Sequence, residues 1–285
     1  KRVRPLLTLI AADMFSGDVN KAKSVAIAVE ILHNFTLLHD DIMDQSPLRR
    51  GKETVYKKFN SNKAILSGDT MFALSYKHLL NYDKEIIKDL VEILTQSSIE
   101  VCEGQAFDME FETRNDVKIE EYINMIRLKT GVLLSCALRL GAVTAHCSKE
   151  NLELLNEFAL NIGIAFQIQD DILDCWSDVE VFGKITGKDI IDNKKTFLYL
   201  KALEIGSQRQ QNILQELYSS KNFEPAQKEQ VVKSIYEDLK IKELAEKEML
   251  HYHNLAIQSL EKIDIDNQRK ENLRRFSEKL INRNK

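Results

Sequence analysis

Asp40, Asp41 and Asp44 close an apolar run, Leu37-Leu38-His39-Asp40-Asp41-Ile42-Met43-Asp44. On a helix, Asp40 and Asp44 share a face one turn apart, with about 6 Å between their β-carbons. Like charges so placed repel unless a cation lies between them. Paired hard carboxylates suit Mg²⁺, which keeps several waters and takes substrate phosphates as further ligands. The cluster also falls at the C-terminal end of its helix, the unfavourable end for negative charge. A single acidic cluster is ordinarily a solvated surface or a turn. Here the same Asp-Asp-x-x-Asp spacing returns in Phe166-Gln167-Ile168-Gln169-Asp170-Asp171-Ile172-Leu173-Asp174, again behind a mostly apolar stretch. If the two helices face each other, five or six carboxylates converge on one cavity. Divalent cations holding a polyphosphate would neutralise that charge.

Basic residues accompany both clusters. Arg49-Arg50-Gly51-Lys52 follows the first, and arginine forks suit bidentate recognition of phosphate oxygens. Lys1, Arg2 and Arg4 precede Pro5. Lys129-Thr130-Gly131 interrupts an apolar stretch in which an unpaired lysine would be costly. Lys184, Lys188, Lys194 and Lys195 flank the loop after the second cluster. Acid and metal on one side with base on the other describe a diphosphate pocket, or two.

The elements that must position these groups are helical. Apolar residues recur at threes and fours from Val25 through Ala28, Val29, Leu32 and Phe35, and from Asn151 to Asp174 through Leu154, Leu155, Phe158, Ile162, Ala165, Ile168 and Ile172. Further helical runs are expected near Ser61–Tyr82, Lys84–Phe111, Lys118–Ala145, Ala226–Lys262 and Asn267–Arg283. Breaks are expected at Ser16-Gly17-Asp18, Ser46-Pro47, Phe182-Gly183 through Gly187, and Glu224-Pro225. Three prolines and ten glycines leave little room for turns between strands. The expectation is an all-α chain, one domain over residues 1–285, with no internal repeat.

Charged residues make up 29% of the chain and apolar ones 44%, an ordinary globular balance. A formal net charge of −4 argues against a general nucleic-acid or anionic-membrane surface but leaves room for a small basic pocket. No window approaches the roughly 18 uninterrupted apolar residues of a membrane-crossing helix. Cys102, Cys136, Cys147 and Cys175 are scattered without metal-ligand spacing, so reduced thiols in a cytoplasmic protein are expected. The sequence opens on Lys1-Arg2 without methionine, and an upstream segment is expected to be missing.

At these residues the chain resembles the trans-isoprenyl diphosphate synthases, or polyprenyl synthetases, over nearly its whole length. Lys1-Arg2-Val3-Arg4-Pro5 is similar to the family's Gly-Lys-Arg-x-Arg-Pro without its glycine. Leu37–Asp44 with Arg49-Arg50-Gly51 is similar to the first aspartate-rich motif. Phe166–Asp174, with Val181-Phe182-Gly183-Lys184 and Asp192-Asn193-Lys194, is similar to the second. Cys175-Trp176-Ser177 and Lys188 depart from the pattern, outside the carboxylates.

The resemblance implies the isoprenoid synthase fold, a large helical bundle around a central cavity, and head-to-tail condensation of isopentenyl diphosphate with an allylic diphosphate (dimethylallyl, geranyl or farnesyl). Lys1, Arg4, His33 and Arg50 would grip isopentenyl diphosphate. Arg49, Lys129, Thr130, Gln167, Lys184 and Lys194 would hold the allylic diphosphate. Asp40 and Asp44 would bind Mg²⁺ with Asp41 in support, and Asp170 would do so with Asp171 and Asp174 close behind. Arg49, Lys129 and Lys194 would stabilise the departing diphosphate, to which the resemblance also assigns the proton. Phe35 and Thr36, just before the first motif, would set chain length, favouring twenty carbons and then fifteen. A homodimer is implied as well. A class I terpene cyclase shares the fold and first motif, but usually lacks a second Asp-Asp-x-x-Asp. A non-catalytic subunit of a heteromeric prenyl synthase usually loses one or both motifs.

Overall fold

A computed structural model of the chain describes residues 2–177, 187–219 and 223–281. Lys1 and Lys184, and the Val181-Phe182-Gly183 that precedes Lys184, lie outside these residues. Helices dominate: α1 (Val3–Met14), α2 (Val19–Met43), α3 (Val55–Lys58), α4 (Ser61–Lys77), α5 (Lys84–Thr113), α6 (Ile119–Ile126), α7 (Val132–Thr144) and α8 (Lys149–Trp176). After them come α9 (Lys188–Ile191), α10 (Phe197–Ile205), α11 (Gln208–Ser219), α12 (Pro225–Asp238), α13 (Ile241–Lys262) and α14 (Asn267–Ile281). The all-α expectation holds, with one addition. Leu48–Arg49 (β1) and Lys52–Glu53 (β2) form a small antiparallel hairpin between α2 and α3.

The chain divides into two compact units. The first runs to Cys102 and adds Val132–Ala159 and Gln258–Phe276. In it α1 packs on α2 and α7, and α2 also packs on α4. Every residue of α7 except Arg139 is buried, which is why its sequence is apolar on most faces. The helix carrying the first aspartate motif thus lies among three others, its backbone fixed while its C-terminal turn reaches the surface at Asp44.

The second unit comprises Glu103–Gly131, Leu160–Ile257 and the residues from Ser277 on. Its core gathers Tyr122, Met125 and Ile126 from α6, Ile168 and Ile172 from α8, Phe197 and Leu200 from α10, Leu214 from α11 and Val232 and Tyr236 from α12. The expected run from Lys118 to Ala145 is broken at Arg127–Gly131, which forms a π-helical turn. The expected run from Ala226 to Lys262 breaks at Leu239-Lys240, where Lys240 has φ +54°. No described helix is long and apolar enough to cross a membrane.

Candidate active site

In the first unit, the last turn of α2 presents its three carboxylates differently. Asp41 is buried, Asp40 half-buried and Asp44 exposed at the helix C-cap. The hairpin after α2 aims Arg49 back at them. Its turn consists of Arg50 (φ +54°) and Gly51 (φ +75°), both left-handed as a tight two-residue hairpin requires. Glycine adopts this backbone freely, whereas Arg50 holds it at some cost, a strain typical of functional loops. Buried Thr54 ties the hairpin base: its Oγ1 donates to the Ser46 carbonyl at 2.8 Å and its N–H to that of Pro47 at 3.1 Å. From this platform Arg49 Nε donates to Asp41 Oδ1 at 2.6 Å and Nη2 to Asp40 Oδ2 at 3.1 Å.

Further along α2, His33 meets Arg4 of α1. Arg4 Nη1 donates to His33 Nε2 at 3.1 Å, so the imidazole must be neutral and carry its proton on Nδ1. Burial, reinforced by Arg4, pushes His33 down to about 3, in keeping with that neutral form. Arg4 is itself lowered to about 10 by burial and remains charged at neutral pH. Its Nε is buried with no hydrogen-bond partner among the described residues. A buried charged donor left so is costly, and an anion would satisfy it.

Phe35 is half-buried. Its ring lies 4.8 Å from that of His39 and 5.2 Å from that of Phe72, which in turn lies 5.3 Å from Tyr76. Tyr76 donates to Thr95 Oγ1 at 3.1 Å. Rings from α2 and α4 therefore form a ladder anchored on α5. Thr36 turns its hydroxyl back to the His33 carbonyl at 2.8 Å.

In the second unit, Lys129 and Thr130 sit in the π turn. Lys129 Nζ reaches Asp108 Oδ2 of α5 at 2.5 Å. Gly104 permits that approach: a β-carbon there would fall 2.6 Å from the Lys129 backbone nitrogen. Thr130 Oγ1 donates to Gln167 Oε1 at 3.3 Å, bringing together two residues expected on the same ligand.

The second aspartate motif is also split. Asp170 and Asp174 are half-buried, whereas Asp171 faces the core. Its Oδ2 accepts from the Tyr122 hydroxyl at 2.5 Å and the Phe197 N–H at 3.3 Å. Burial holds the Asp171 carboxyl well above the usual range. Asp171, expected beside the metal, thus has its Oδ2 engaged with the core, while its Oδ1 accepts from Gln167 Nε2 at 3.5 Å. Asp174 Oδ2 accepts from the Asp189 N–H at 2.9 Å, and burial with the nearby Asp189 charge pushes it up to about 6. Lys194 Nζ lies 3.7 Å from Asp189 Oδ1. Lys195 instead spans the end of α5, donating to the carbonyls of Phe111 at 2.6 Å and of Arg114. Lys188 pairs with Asp192 on its own helix.

Residues 1–239 match the family described as Polyprenyl synthetase. The chain is 41% identical over 241 residues to the short chain isoprenyl diphosphate synthase of Methanocaldococcus jannaschii, covering 84% of this chain and 72% of that protein. It is 41% identical over 238 residues to the geranylgeranyl diphosphate synthase of Sulfolobus acidocaldarius, covering 82% and 71%. A crystal structure of geranylgeranyl pyrophosphate synthase superposes with a TM-score of 0.94 at 42% identity, over 98% of this chain and 86% of that one. The chain belongs to the polyprenyl synthetase family. It is a trans-prenyltransferase.

Three partners in this polyprenyl synthetase were missed in the sequence. Asp108 was foreshadowed, because a lysine in an apolar stretch requires a counter-ion. Asp189 and Tyr122 gave no local signal; only the folded second unit brings them to the Asp-Asp-x-x-Asp turn. Enzymes of this family are generally metal-dependent. Among the described residues no three potential ligands are gathered into a ready-made metal site. The donors nevertheless fit a hard cation. Asp170 and Asp174 lie one turn apart, and burial, with the Asp189 charge added, raises the Asp174 carboxyl, an unfavourable charge that a bound cation would offset.

Proposed function

We propose that the chain condenses isopentenyl diphosphate with an allylic diphosphate, head to tail, to give geranylgeranyl diphosphate, with farnesyl diphosphate the shorter alternative. The observation that carries elongation, as opposed to cyclisation of a single substrate, is the Arg4–His33 pair. A half-buried arginine whose Nε is buried and unsatisfied, held by a neutral histidine, is suited to a second anionic substrate. Lys1 and Arg50 would complete its grip.

Magnesium is the proposed metal, held by Asp40 and Asp44 in one motif and by Asp170 and Asp174 in the other. When bound, it supplies charge stabilisation to the departing diphosphate. Arg49, Lys129, Thr130, Gln167, Lys184 and Lys194 would orient that diphosphate and take up its growing charge. Arg4 and His33 would hold isopentenyl diphosphate alongside, so that its double bond attacks the allylic carbon in a fixed pair. The released proton goes to the leaving diphosphate, and no side chain is assigned as base. Phe35, backed by its ladder of rings, would stop the growing tail.

A homodimer is part of this reading, supported by the exposed Ile65, Leu66 and Leu74 of α4. So is a cytoplasmic setting, supported by four cysteines that form no disulfide among the described residues. Labelled isopentenyl diphosphate with Mg²⁺ and each allylic primer tests the reaction. Label should enter a ladder ending at twenty carbons, abolished by chelation or by Asp40→Ala. Primer consumed without label would overturn elongation.

A further inference from the structure

The cation that neutralises the first aspartate motif in this structure belongs to the chain itself. Arg49 bridges two carboxylates at once, Asp41 at 2.6 Å and Asp40 at 3.1 Å, through two charge-assisted hydrogen bonds. The hairpin base is pinned by Thr54, so the Arg49 backbone is held while its side chain, one third exposed, has room to swing. Arg50, one residue on, is exposed and forms no ion pair among the described residues.

We propose that Arg49 is a specificity-determining residue for metal loading. It occupies Asp40 and Asp41 against a bare divalent cation and yields them to one that arrives with a diphosphate. The proposal rests on the reading of Asp40 as a magnesium ligand. A bare cation that takes Asp40 must displace the Arg49 bond there and leave a guanidinium, still held at Asp41, facing a dication with nothing in exchange. When a diphosphate accompanies it, the displaced guanidinium turns to phosphate oxygens, which match its fork as well as the carboxylates did. Metal and diphosphate therefore bind with positive coupling, and by linkage each strengthens the other equally.

The test is calorimetric titration of the full chain with Mg²⁺ alone, with inorganic pyrophosphate alone, and with both. Arg49→Gln should bind Mg²⁺ alone about tenfold more tightly, and the gain in Mg²⁺ affinity given by pyrophosphate should shrink about tenfold. Arg49→Lys, which keeps the charge but lacks the fork, should fall between. Arg50→Gln should leave affinity for Mg²⁺ alone within about twofold. Equal tightening in Arg50→Gln would reduce the effect to a general field, and unchanged affinity in folded Arg49→Gln would show that the arginine does not compete; either overturns the proposal. Asp40→Asn separates this from failure of the underlying reading. If it binds Mg²⁺ as well as the parent, the proposed metal ligand is itself wrong.

Discussion

The Tyr122 hydroxyl donates to Asp171 Oδ2 at 2.5 Å, and both residues are buried. This bond joins α6 to the last turns of α8, the segment that carries the second aspartate motif. With Asp171 held inward, helical geometry turns Asp170, one residue earlier, about 100° away from it. Removing the hydroxyl leaves a buried carboxyl short of a donor, which costs about 1–3 kcal/mol. Tyr122→Phe should therefore melt several degrees lower. Because Asp171 serves the core, Asp171→Asn should retain at least about tenfold more activity than Asp170→Asn, measured as kcat at saturating Mg²⁺. Equal losses would make Asp171 a ligand after all.

His33 gives a pH dependence with a definite sign. Its folded value, about 3, lies below the unfolded value near 6.5, so the neutral ring is favoured by folding. That contribution is complete above pH 6.5 and is lost as pH falls toward 3. The resistance of the parent to chemical denaturant should fall from pH 7 to pH 5. In His33→Asn the slope should be shallower over the same window.

Asp108 and Gly104 both act on Lys129. Asp108→Asn removes the partner that holds the ammonium, and Gly104→Ala pushes on its backbone. Each should lower kcat/KM for the allylic primer by about tenfold while leaving KM for isopentenyl diphosphate unchanged. Steady-state kinetics with one substrate varied at a time distinguishes the two effects. A matching rise in KM for isopentenyl diphosphate would mean that Lys129 does not discriminate between the ligands.

Product length should respond to the ladder as well as to Phe35. Phe35→Ala removes the proposed stop, and Phe72→Ala removes the ring that supports it. Both should extend the product by one or more isoprene units, Phe72→Ala less completely. Phe72→Leu, closer in volume, should keep the parental profile. Chromatography of dephosphorylated products reads this directly. An effect at Phe35 without one at Phe72 would make the stop a single ring.

The helices and the two acidic turns were legible in the sequence because both obey local spacing. Apolar residues at threes and fours gave α2, α5 and α8, and the aspartates at the ends of α2 and α8 broke that pattern conspicuously. The hairpin was not legible: its strands have two residues each, too few for alternation to register. Nor were α10 and α11 foreseen, although Phe197 and Leu214 lie in the core of the second unit. Within the motifs, spacing treated all three aspartates alike. The inward course of Asp171 depends on Tyr122 and Phe197, 49 and 26 residues away, and no local pattern encodes them.

The π turn at Arg127–Gly131 carries Lys129 and Thr130 because it holds one residue more than an α-helix would fit. Deleting that surplus residue would restore regular hydrogen bonding and leave the segment a better helix by every local measure. It would also rotate one side of the turn against the other by about 100°, breaking the alignment of Thr130 with Gln167. Among natural variants, a one-residue gap in this stretch should therefore mark chains that keep the fold and have given up the reaction.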